Sequence, residues 1–158
     1  MNCIIREIQA KDNAAIEQII RSCLLEFDGN REGTAWHDPD LGRFSEIYNT
    51  EEQKYWVAET DKIIGGVGIG PLPGAEGVCE LQKMYCIPEA RGTGVSHKLI
   101  EKALEHAKKY YSSCYLETFG NMLAAQRFYE KYGFARIDKP LGNTGHYACD
   151  VLYIKELR

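Results

Sequence analysis

A chain of 158 residues with 44% apolar and 27% charged residues has the size and composition of one globular domain. Its formal net charge of −4 disfavours a nucleic-acid binder, which usually presents a basic face. No stretch approaches the roughly 20 apolar residues that span a bilayer, and the first residues lack the pattern of a signal peptide. We therefore expect a single domain over residues 1–158, located in the cytoplasm, with no nucleic-acid or membrane partner.

The six cysteines are scattered, without a Cys-x-x-Cys pair or a neighbouring histidine at metal-ligand spacing. Most of them lie in apolar or strand-like runs, where a free cysteine behaves as a small hydrophobic residue. We expect reduced thiols in the core, with neither zinc nor a disulfide framework. No metal site is therefore predicted.

Hydrophobic periodicity predicts a strand and a long helix at the beginning of the chain. Residues 3–8 are apolar enough for a strand, and Asp12 is a suitable N-cap for apolar residues that repeat at helical spacing between 16 and 27. Residues 28–40 are rich in Gly, Asn, Asp and Pro, which predicts a long loop. The next predicted elements are a short helix around 41–48, a hairpin of strands 55–59 and 63–69, and a loop at 70–77.

The second half of the chain alternates strands with helices. Its clearest amphipathic helix spans residues 95–107 and follows a strand at 78–87, which ends at Pro88. The remaining predicted elements are a strand at 114–118, a helix at 122–132 that ends at Gly133, and strands at 134–138 and 147–154. The order β-α-α-β-β-β-α-β-α-β-β contains no linker, repeat or low-complexity segment that would divide it, and it predicts one α/β domain.

The turn between the strand at 78–87 and the helix at 95–107 carries the strongest signal. Residues 88–96 read Pro-Glu-Ala-Arg-Gly-Thr-Gly-Val-Ser. Glycine lets the backbone approach a ligand closely, and the first amides of a helix lack acceptors within it and lie at the positive end of its dipole. A pyrophosphate fits such a site, and Arg91 can add a forked donor.

Taken alone, these glycines could also form a simple strand-to-helix turn. The turn is not a Walker loop, because no Lys-Ser or Lys-Thr follows at the required place, and it lacks the Rossmann Gly-x-Gly-x-x-Gly pattern. That pattern is also absent from Gly65, Gly66, Gly68 and Gly70, which favour bulges or close strand packing.

Two segments resemble motifs of the GNAT superfamily of N-acetyltransferases. Residues 79–94 (CELQKMYCIPEARGTG) lead into the pattern Gln/Arg-x-x-Gly-x-Gly/Ala, which is filled here by Arg91, Gly94 and Ser96, with serine in place of the usual Gly or Ala. Residues 116–118 (LET) and 125–134 (AQRFYEKYGF) resemble the later strand, helix and Tyr-Glu-Lys-x-Gly-Phe ending of GNAT proteins. The resemblance implies an α/β (α+β) fold with a mixed, mainly antiparallel central sheet, helices on both faces and a splayed parallel strand pair.

The resemblance also implies that acetyl-CoA is the co-substrate, with its pantetheine arm between the splayed strands. The backbone groups expected to bind pantetheine, one of them as an oxyanion donor to the thioester carbonyl, are those of Met84, Tyr85 and Cys86. The residues expected to hold the pyrophosphate are Arg91, Gly92, Thr93, Gly94, Val95 and Ser96. Asn121 precedes the usual family asparagine position by one residue, so it either contacts pantetheine or caps the following helix.

Two residues are candidate catalysts. The resemblance places Tyr129 beside the sulfur, where a phenol with a pKa near 10 is protonated at neutral pH and can protonate the leaving thiolate. Glu80 matches the position of a base glutamate in several GNAT enzymes and would take a proton from the amine, directly or through water. Strand alternation predicts that one face of this strand carries Glu80, Gln82, Met84 and Cys86. A core-packing tyrosine and an ion-paired strand glutamate are the alternatives.

The acceptor pocket is less well defined by the sequence. In GNAT folds it is usually built from the first two helices, their loop and the last hairpin. The candidate lining residues, none of them assigned as catalytic, are Trp36, His37, Asp38, His146 and Tyr147.

The predicted reaction is transfer of acetyl from acetyl-CoA to a primary amine of a small molecule or a protein, by direct attack through a tetrahedral intermediate. The alternative is a GNAT-shaped domain that binds acyl-CoA as a sensor or docking element without turnover. The sequence leaves open a homodimer, the identity of the amine and the length of the acyl chain.

Overall fold

The elements follow the order that the hydrophobic pattern predicts, with the addition of a two-residue strand before the first hairpin. The computed structural model describes residues 2–146 and 148–158. The α-helices are α1 (Asn13–Glu26), α2 (Phe44–Ile47), α3 (Val95–Ala107) and α4 (Leu123–Lys131). The strands are β1 (Ile4–Glu7), β2 (Asn49–Thr50), β3 (Gln53–Glu59), β4 (Ile63–Pro71), β5 (Val78–Cys86), β6 (Ser113–Thr118), β7 (Ala135–Ile137) and β8 (Val151–Glu156).

The strands form one sheet in the order β1-β3-β4-β5-β6-β8-β7, with β2 beside β3. Within residues 2–146 and 148–158, β5 and β6 form the parallel pair and the other pairings are antiparallel. The predicted α/β (α+β) class with a mainly antiparallel mixed sheet is confirmed.

Strands β5 and β6 separate soon after they begin to pair. The parallel register joins residues 78–80 to residues 113–115. Beyond these residues β5 continues to Cys86 along β4, while β6 continues to Thr118 along β8. A wedge therefore opens between the two strands, and the predicted splayed pair is confirmed.

Two hydrophobic clusters attach helices to the two faces of the sheet. Leu99, Ile100 and Ala103 of α3 recur at helical spacing and are buried in the cluster against which α4 also packs; we call this side the first face. Ile16 and Ile20 of α1 are buried in the other cluster together with α2, on the second face. Helices therefore cover both faces, as the family resemblance implies.

Strand β5 contains a β-bulge. Its register pairs Tyr85 with Gly66 and Gln82 with Gly68, so two residues of β5, 83–84, lie opposite one residue of β4. The bulge lies in the part of β5 that has already left β6. It therefore changes the direction of the side chains that border the wedge.

The bulge overturns one prediction from strand alternation. Lys83 adopts the left-handed backbone conformation, with φ of 51°, and the extra residue reverses the alternation beyond it. Glu80 and Gln82 lie on the second face, whereas Met84 and Cys86 pack against the first-face cluster. The prediction that these four residues share one face is wrong, because it assumed a regular strand.

Glycines in β4 make room for a tyrosine that contacts the bulge. A Cβ at Gly66 would lie 2.5 Å from Cε1 of Tyr55, and a Cβ at Gly68 would lie 2.8 Å from Cδ2 of the same ring. Across these glycines the Tyr55 hydroxyl donates a hydrogen bond of 2.7 Å to the carbonyl oxygen of Lys83. The close packing predicted for these glycines is therefore present, and it connects β3 to the bulge of β5.

The last strand begins later than predicted, at Val151 rather than at residue 147. The preceding residues form turns instead: the Cys149 amide donates to the His146 carbonyl oxygen, and the Asp150 carboxylate accepts a hydrogen bond from the Gly120 amide at 2.8 Å. Tyr147 lies outside the described residues. In the part of the chain that is described, no helix combines the length and the apolar character required to cross a bilayer.

We predict that Gly66→Ala lowers the free energy of unfolding by about 1–3 kcal/mol, because the added methyl group overlaps the Tyr55 ring in a packed core. Urea denaturation followed by circular dichroism measures the change. Gly70→Ala is the matched control, since its Cβ would meet the side-chain amide of Gln82 at 3.1 Å instead of a buried ring. Equal losses in the two variants would contradict the role assigned to Gly66.

Candidate active site

A cleft of about 420 Å³ lies beside the part of β5 that has left β6, between the last turn of α1, the start of α3 and α4. We call it the strand cleft. The sequence-predicted site residues that line it are Met84, Tyr85, Cys86, Arg91, Gly92, Gly94, Ser96 and Tyr129. The predicted site residues that do not line it are Glu80, Thr93, Val95 and Asn121.

The turn before α3 presents a set of open amides. Gly92 and Gly94 have φ of 79° and 91°, and no atom lies within 4 Å of a Cβ built on either residue, so glycine is required by the backbone and not by packing. Among the described residues, no acceptor is found for the amides of Gly92, Gly94, Val95, Ser96 and His97. These amides and the positive end of the α3 dipole form an anion site.

Thr93 and Val95 contribute to this turn in different ways. The Thr93 amide and hydroxyl both donate to the Ala90 carbonyl oxygen, so these donors hold the turn closed on itself. The Val95 side chain is buried in the first-face cluster, and its amide points out of the start of the helix. Val95 therefore offers the cleft a backbone group only.

The Arg91 fork is occupied by a carboxylate of α1. Its Nη1 and Nη2 atoms lie 2.7 and 2.8 Å from the two oxygens of Glu26, and this pairing lowers the pKa of the Glu26 carboxyl. Both side chains are more than one-third exposed at the edge of the cleft. An anion on the neighbouring amides therefore competes with Glu26 for the guanidinium.

Tyr129 directs an unpaired phenol into the strand cleft. The residue is half-buried, and within the described part of the chain its hydroxyl has no hydrogen-bond partner. Burial, followed by the nearby Cys86 thiol, raises the pKa of Tyr129 well above its usual value. The hydroxyl is therefore protonated at neutral pH and can act as a proton donor.

The end of β5 offers a backbone amide to the cleft. The Ile87 amide donates to the Ile64 carbonyl oxygen at 2.9 Å. Because amides alternate in direction along an antiparallel strand, the Cys86 amide is directed away from β4 and toward the wedge. It can serve as an oxyanion donor.

The cleft thiols are not poised as nucleophiles. Burial raises the pKa of both Cys23 and Cys86, and the Cys23 thiol donates to the Cys86 carbonyl oxygen at 3.3 Å. Reactive cysteines have a lowered pKa and a neighbouring cation or base. The geometry favours a reaction that does not pass through an acylated cysteine.

Glu80 lies on the second face and is only 7% exposed. Gln82 donates to its Oε1 atom at 2.8 Å and in turn accepts a hydrogen bond of 2.6 Å from the Tyr48 hydroxyl. Burial raises the pKa of Glu80. Since Tyr129 packs on the first face, the two predicted catalysts lie on opposite faces of the sheet.

The structure brings two of the predicted acceptor-pocket residues together. Nε2 of His146 lies 2.9 Å from both carboxylate oxygens of Asp38, and the Lys83 ammonium lies 2.8 Å from the same carboxylate. Trp36, in the loop between α1 and α2, instead packs against the Arg21 guanidinium of α1. His37 is exposed. Tyr147 lies outside the described residues.

Asn121 neither caps α4 nor lines the strand cleft. Its side-chain amide donates to the Phe27 carbonyl oxygen at 2.9 Å, and Met122 occupies the N-cap position of α4. The side chain therefore ties the end of α1 to the start of α4. The helix-cap interpretation is wrong, because the residue lies one position too early.

Sequence reasoning missed several residues that line the cleft, namely Cys23, Phe27, His97, Met122, Ala124, Ala125 and Phe128. Two small residues, Ala124 and Ala125 in the first turn of α4, could have indicated that a ligand approaches the helix closely there. No local pattern reveals that the last turn of α1 packs over the end of β5, because this contact joins segments some 60 residues apart.

The comparisons with known proteins agree with this geometry. The model of the acetyltransferase (GNAT) family matches residues 14–134. The uncharacterized N-acetyltransferase YjgM of Escherichia coli K12 is 39% identical over 98% of this chain and 95% of its own length. A GNAT-family acetyltransferase from Staphylococcus aureus Mu50 superposes with a TM-score of 0.87 at 23% identity, over 99% of this chain and all of its own.

A further solved structure, YncA from Salmonella typhimurium with acetyl-CoA, has a TM-score of 0.76 at 18% identity, over 100% of this chain and 95% of its own. The chain belongs to the GNAT acetyltransferase family. The predicted family and the predicted enzyme class, an acetyl-CoA-dependent N-acetyltransferase, are confirmed.

We predict that Glu26→Gln tightens binding of CoA, because Arg91 is then free for the phosphates. An exposed ion pair is typically worth about 0.4–1 kcal/mol, so the dissociation constant should fall by about two- to fivefold. Isothermal titration calorimetry measures it. Glu89→Gln is the control for the loss of one negative charge, because Glu89 is exposed and lies on the same turn as Arg91. Unchanged affinity in Glu26→Gln would show that Arg91 does not reach the phosphates.

Proposed function

We propose that this chain transfers an acetyl group from acetyl-CoA to a primary amine of a small molecule or a protein. The observation that carries the proposal is the strand cleft, which joins open amides at the start of α3 to the freed edge of β5 and to an unpaired phenol on α4. An anion site, an oxyanion donor and a proton donor thus lie along one channel. Acetyl-CoA carries its pyrophosphate, its pantetheine arm and its thioester in series, so one molecule can reach all three groups.

The turn and β5 position the donor substrate. The pyrophosphate binds to the amides of Gly92, Gly94, Val95 and Ser96. The Arg91 guanidinium also binds it, once its ion pair with Glu26 has broken. The backbone of Met84, Tyr85 and Cys86 binds pantetheine along the wedge. The Cys86 amide points at the thioester oxygen and stabilises the negative charge of the tetrahedral intermediate.

Proton transfer takes place from two sides of the sheet. Glu80 on the second face accepts a proton from the amine, directly or through water, and the neutral nitrogen attacks the carbonyl carbon. The carbon–sulfur bond breaks, and Tyr129 on the first face donates its proton to the thiolate. Acid and base are thus separated by the strand that holds the thioester.

The general test is to incubate the pure protein with acetyl-CoA and a panel of primary amines, while free thiol is followed. Thiol release that depends on the amine supports transfer. CoA binding with no thiol release for any amine would leave the alternative, a domain that binds acyl-CoA without turnover.

We predict that Tyr129→Phe lowers kcat by about 10²- to 10⁴-fold, since the thiolate must then leave without a proton donor. CoA affinity should stay within twofold, because the ring and its packing are kept. Steady-state kinetics and calorimetry give the two values. Phe128→Leu, at a neighbouring cleft position without a titratable group, is the control for packing. Wild-type kcat in Tyr129→Phe would remove this residue from catalysis.

We predict an acid limb in kcat/KM above the ordinary pKa of a glutamate, because burial raises the pKa of Glu80 and the base works only when ionised. Activity should therefore fall as pH decreases through this raised pKa. Profiles with two amines of different pKa identify the limb, since one that belongs to the enzyme keeps its position. In Glu80→Gln the rate should drop and this limb should disappear. Its persistence would assign the limb to another group.

A further inference from the structure

A second carboxylate lies beside Glu80 at the point where the strands part. The last parallel pair is Glu80 with Tyr115, and Glu117 follows two residues later on β6, so the side chains of all three point to the second face. One oxygen of Glu80, one of Glu117 and a ring nitrogen of His146 lie within 4.8 Å of one another. We call Glu80 and Glu117 the carboxylate pair.

The carboxylate pair is held by neutral donors. The Tyr115 hydroxyl donates to Oε2 of Glu117 at 2.7 Å, and the Thr144 hydroxyl donates to Oε1 of the same residue. Oε1 of Glu80 accepts a hydrogen bond from the side-chain amide of Gln82. Within residues 2–146 and 148–158, neither carboxylate forms an ion pair with a lysine or an arginine.

The nearby basic groups are engaged elsewhere. The Lys83 ammonium lies 2.8 Å from the Asp38 carboxylate, and Nε2 of His146 lies 2.9 Å from both oxygens of the same group. Asp38 thus takes up the positive charge that could compensate the pair. The two carboxyl groups of the pair are therefore held by hydrogen bonds, and Lys83 acts on Glu80 only at longer range.

One oxygen of the pair is open to a ligand. Glu80 is more than nine-tenths buried, and in the described part of the chain its Oε2 atom has no hydrogen-bond partner. Among these residues, every fully buried side-chain oxygen or nitrogen has a hydrogen-bond partner. Because Oε2 of Glu80 has none, this atom is not fully buried and can be reached from outside. A buried carboxylate with an open oxygen and no direct ion pair is a site for a cation.

We propose that the carboxylate pair binds the acceptor as its ammonium ion and selects amines that carry no carboxylate next to the charged nitrogen. The proposal rests on the proposed function, whose acceptor must enter on the face that carries Glu80. A carboxylate on the adjacent carbon would lie within a few ångströms of two like charges, while Lys83 is already paired with Asp38. The acceptor class is therefore an aliphatic amine or an amine at the end of a side chain, and not an α-amino acid.

The pair also accounts for the protons of the reaction. The bound ammonium gives one proton to Glu80, and the neutral nitrogen forms the bond to the carbonyl carbon. Glu80 passes that proton to water and then takes the second proton from the nitrogen as the carbon–sulfur bond breaks, while Tyr129 protonates the thiolate and regains a proton from water. Glu117 holds the cationic substrate; it is a binding residue and not the base.

The test measures binding and turnover separately on three matched pairs of ligands: methylamine with glycine, isoamylamine with leucine, and phenethylamine with phenylalanine. Binding is measured by calorimetry on protein saturated with CoA, which carries no acetyl group to transfer. We expect at least one amine to bind at least tenfold more tightly than its amino acid. Equal affinities in every pair, or no binding of any amine, would overturn the proposal without any variant.

Glu117→Gln tests the residue itself. We expect amine affinity to fall at least tenfold while CoA affinity, which reports an intact fold, is unchanged. Glu76→Gln, which removes one charge from the exposed β4–β5 loop, should bind like the wild type. Wild-type amine affinity in Glu117→Gln would remove this residue from the site.

Two further outcomes separate the candidates. Zn²⁺ or Mg²⁺ that binds in a 1:1 ratio, displaces the amine and is lost in Glu117→Gln would assign the pair to a metal ion and overturn the ammonium proposal. Selective amine binding without thiol release from acetyl-CoA would contradict the proposed function but support the cation site. Thiol release at equal rates with amines and amino acids, with an unchanged KM in Glu117→Gln, would support the proposed function but contradict the cation site.

Discussion

The separation of β5 from β6 is the constraint on which the other features of the site depend. The two strands pair over three residues and then follow different neighbours, so the edge of β5 loses its ladder partner. The bulge at residues 83–84 lies in this free part, and Tyr55 contacts it across glycines of β4. The wedge and the free edge of β5 thus follow from one break in pairing.

The same break divides the chemistry between two faces. Before the bulge, Glu80 points to the second face, where α1, α2 and the last loop lie. Beyond it, Cys86 packs on the first face beside α3 and Tyr129. An extra residue in one strand is therefore enough to place Glu80 and Cys86 on opposite faces of the sheet.

Local pattern was enough to predict the elements and the turn with Arg91, Gly92 and Gly94, because these depend on periodicity and on backbone conformation. The splayed parallel pair was predicted from the family resemblance. It was not enough for the face of Cys86, since a bulge at a lysine has no composition signal. The Arg91–Glu26 pair and the Asn121 contact to Phe27 join distant segments and were missed for that reason. The single domain, the cytoplasmic location and a homodimer stay predictions.

The last turn of α1 is fastened to both walls of the strand cleft. The Cys23 thiol bonds the backbone of β5, Glu26 holds Arg91 at the start of α3, and the Phe27 carbonyl accepts from Asn121 in front of α4. A helix that sequence analysis did not connect with the strand cleft thus forms part of its wall. The width of the cleft at this end therefore depends on three contacts, which join α1 to β5, to the start of α3 and to α4.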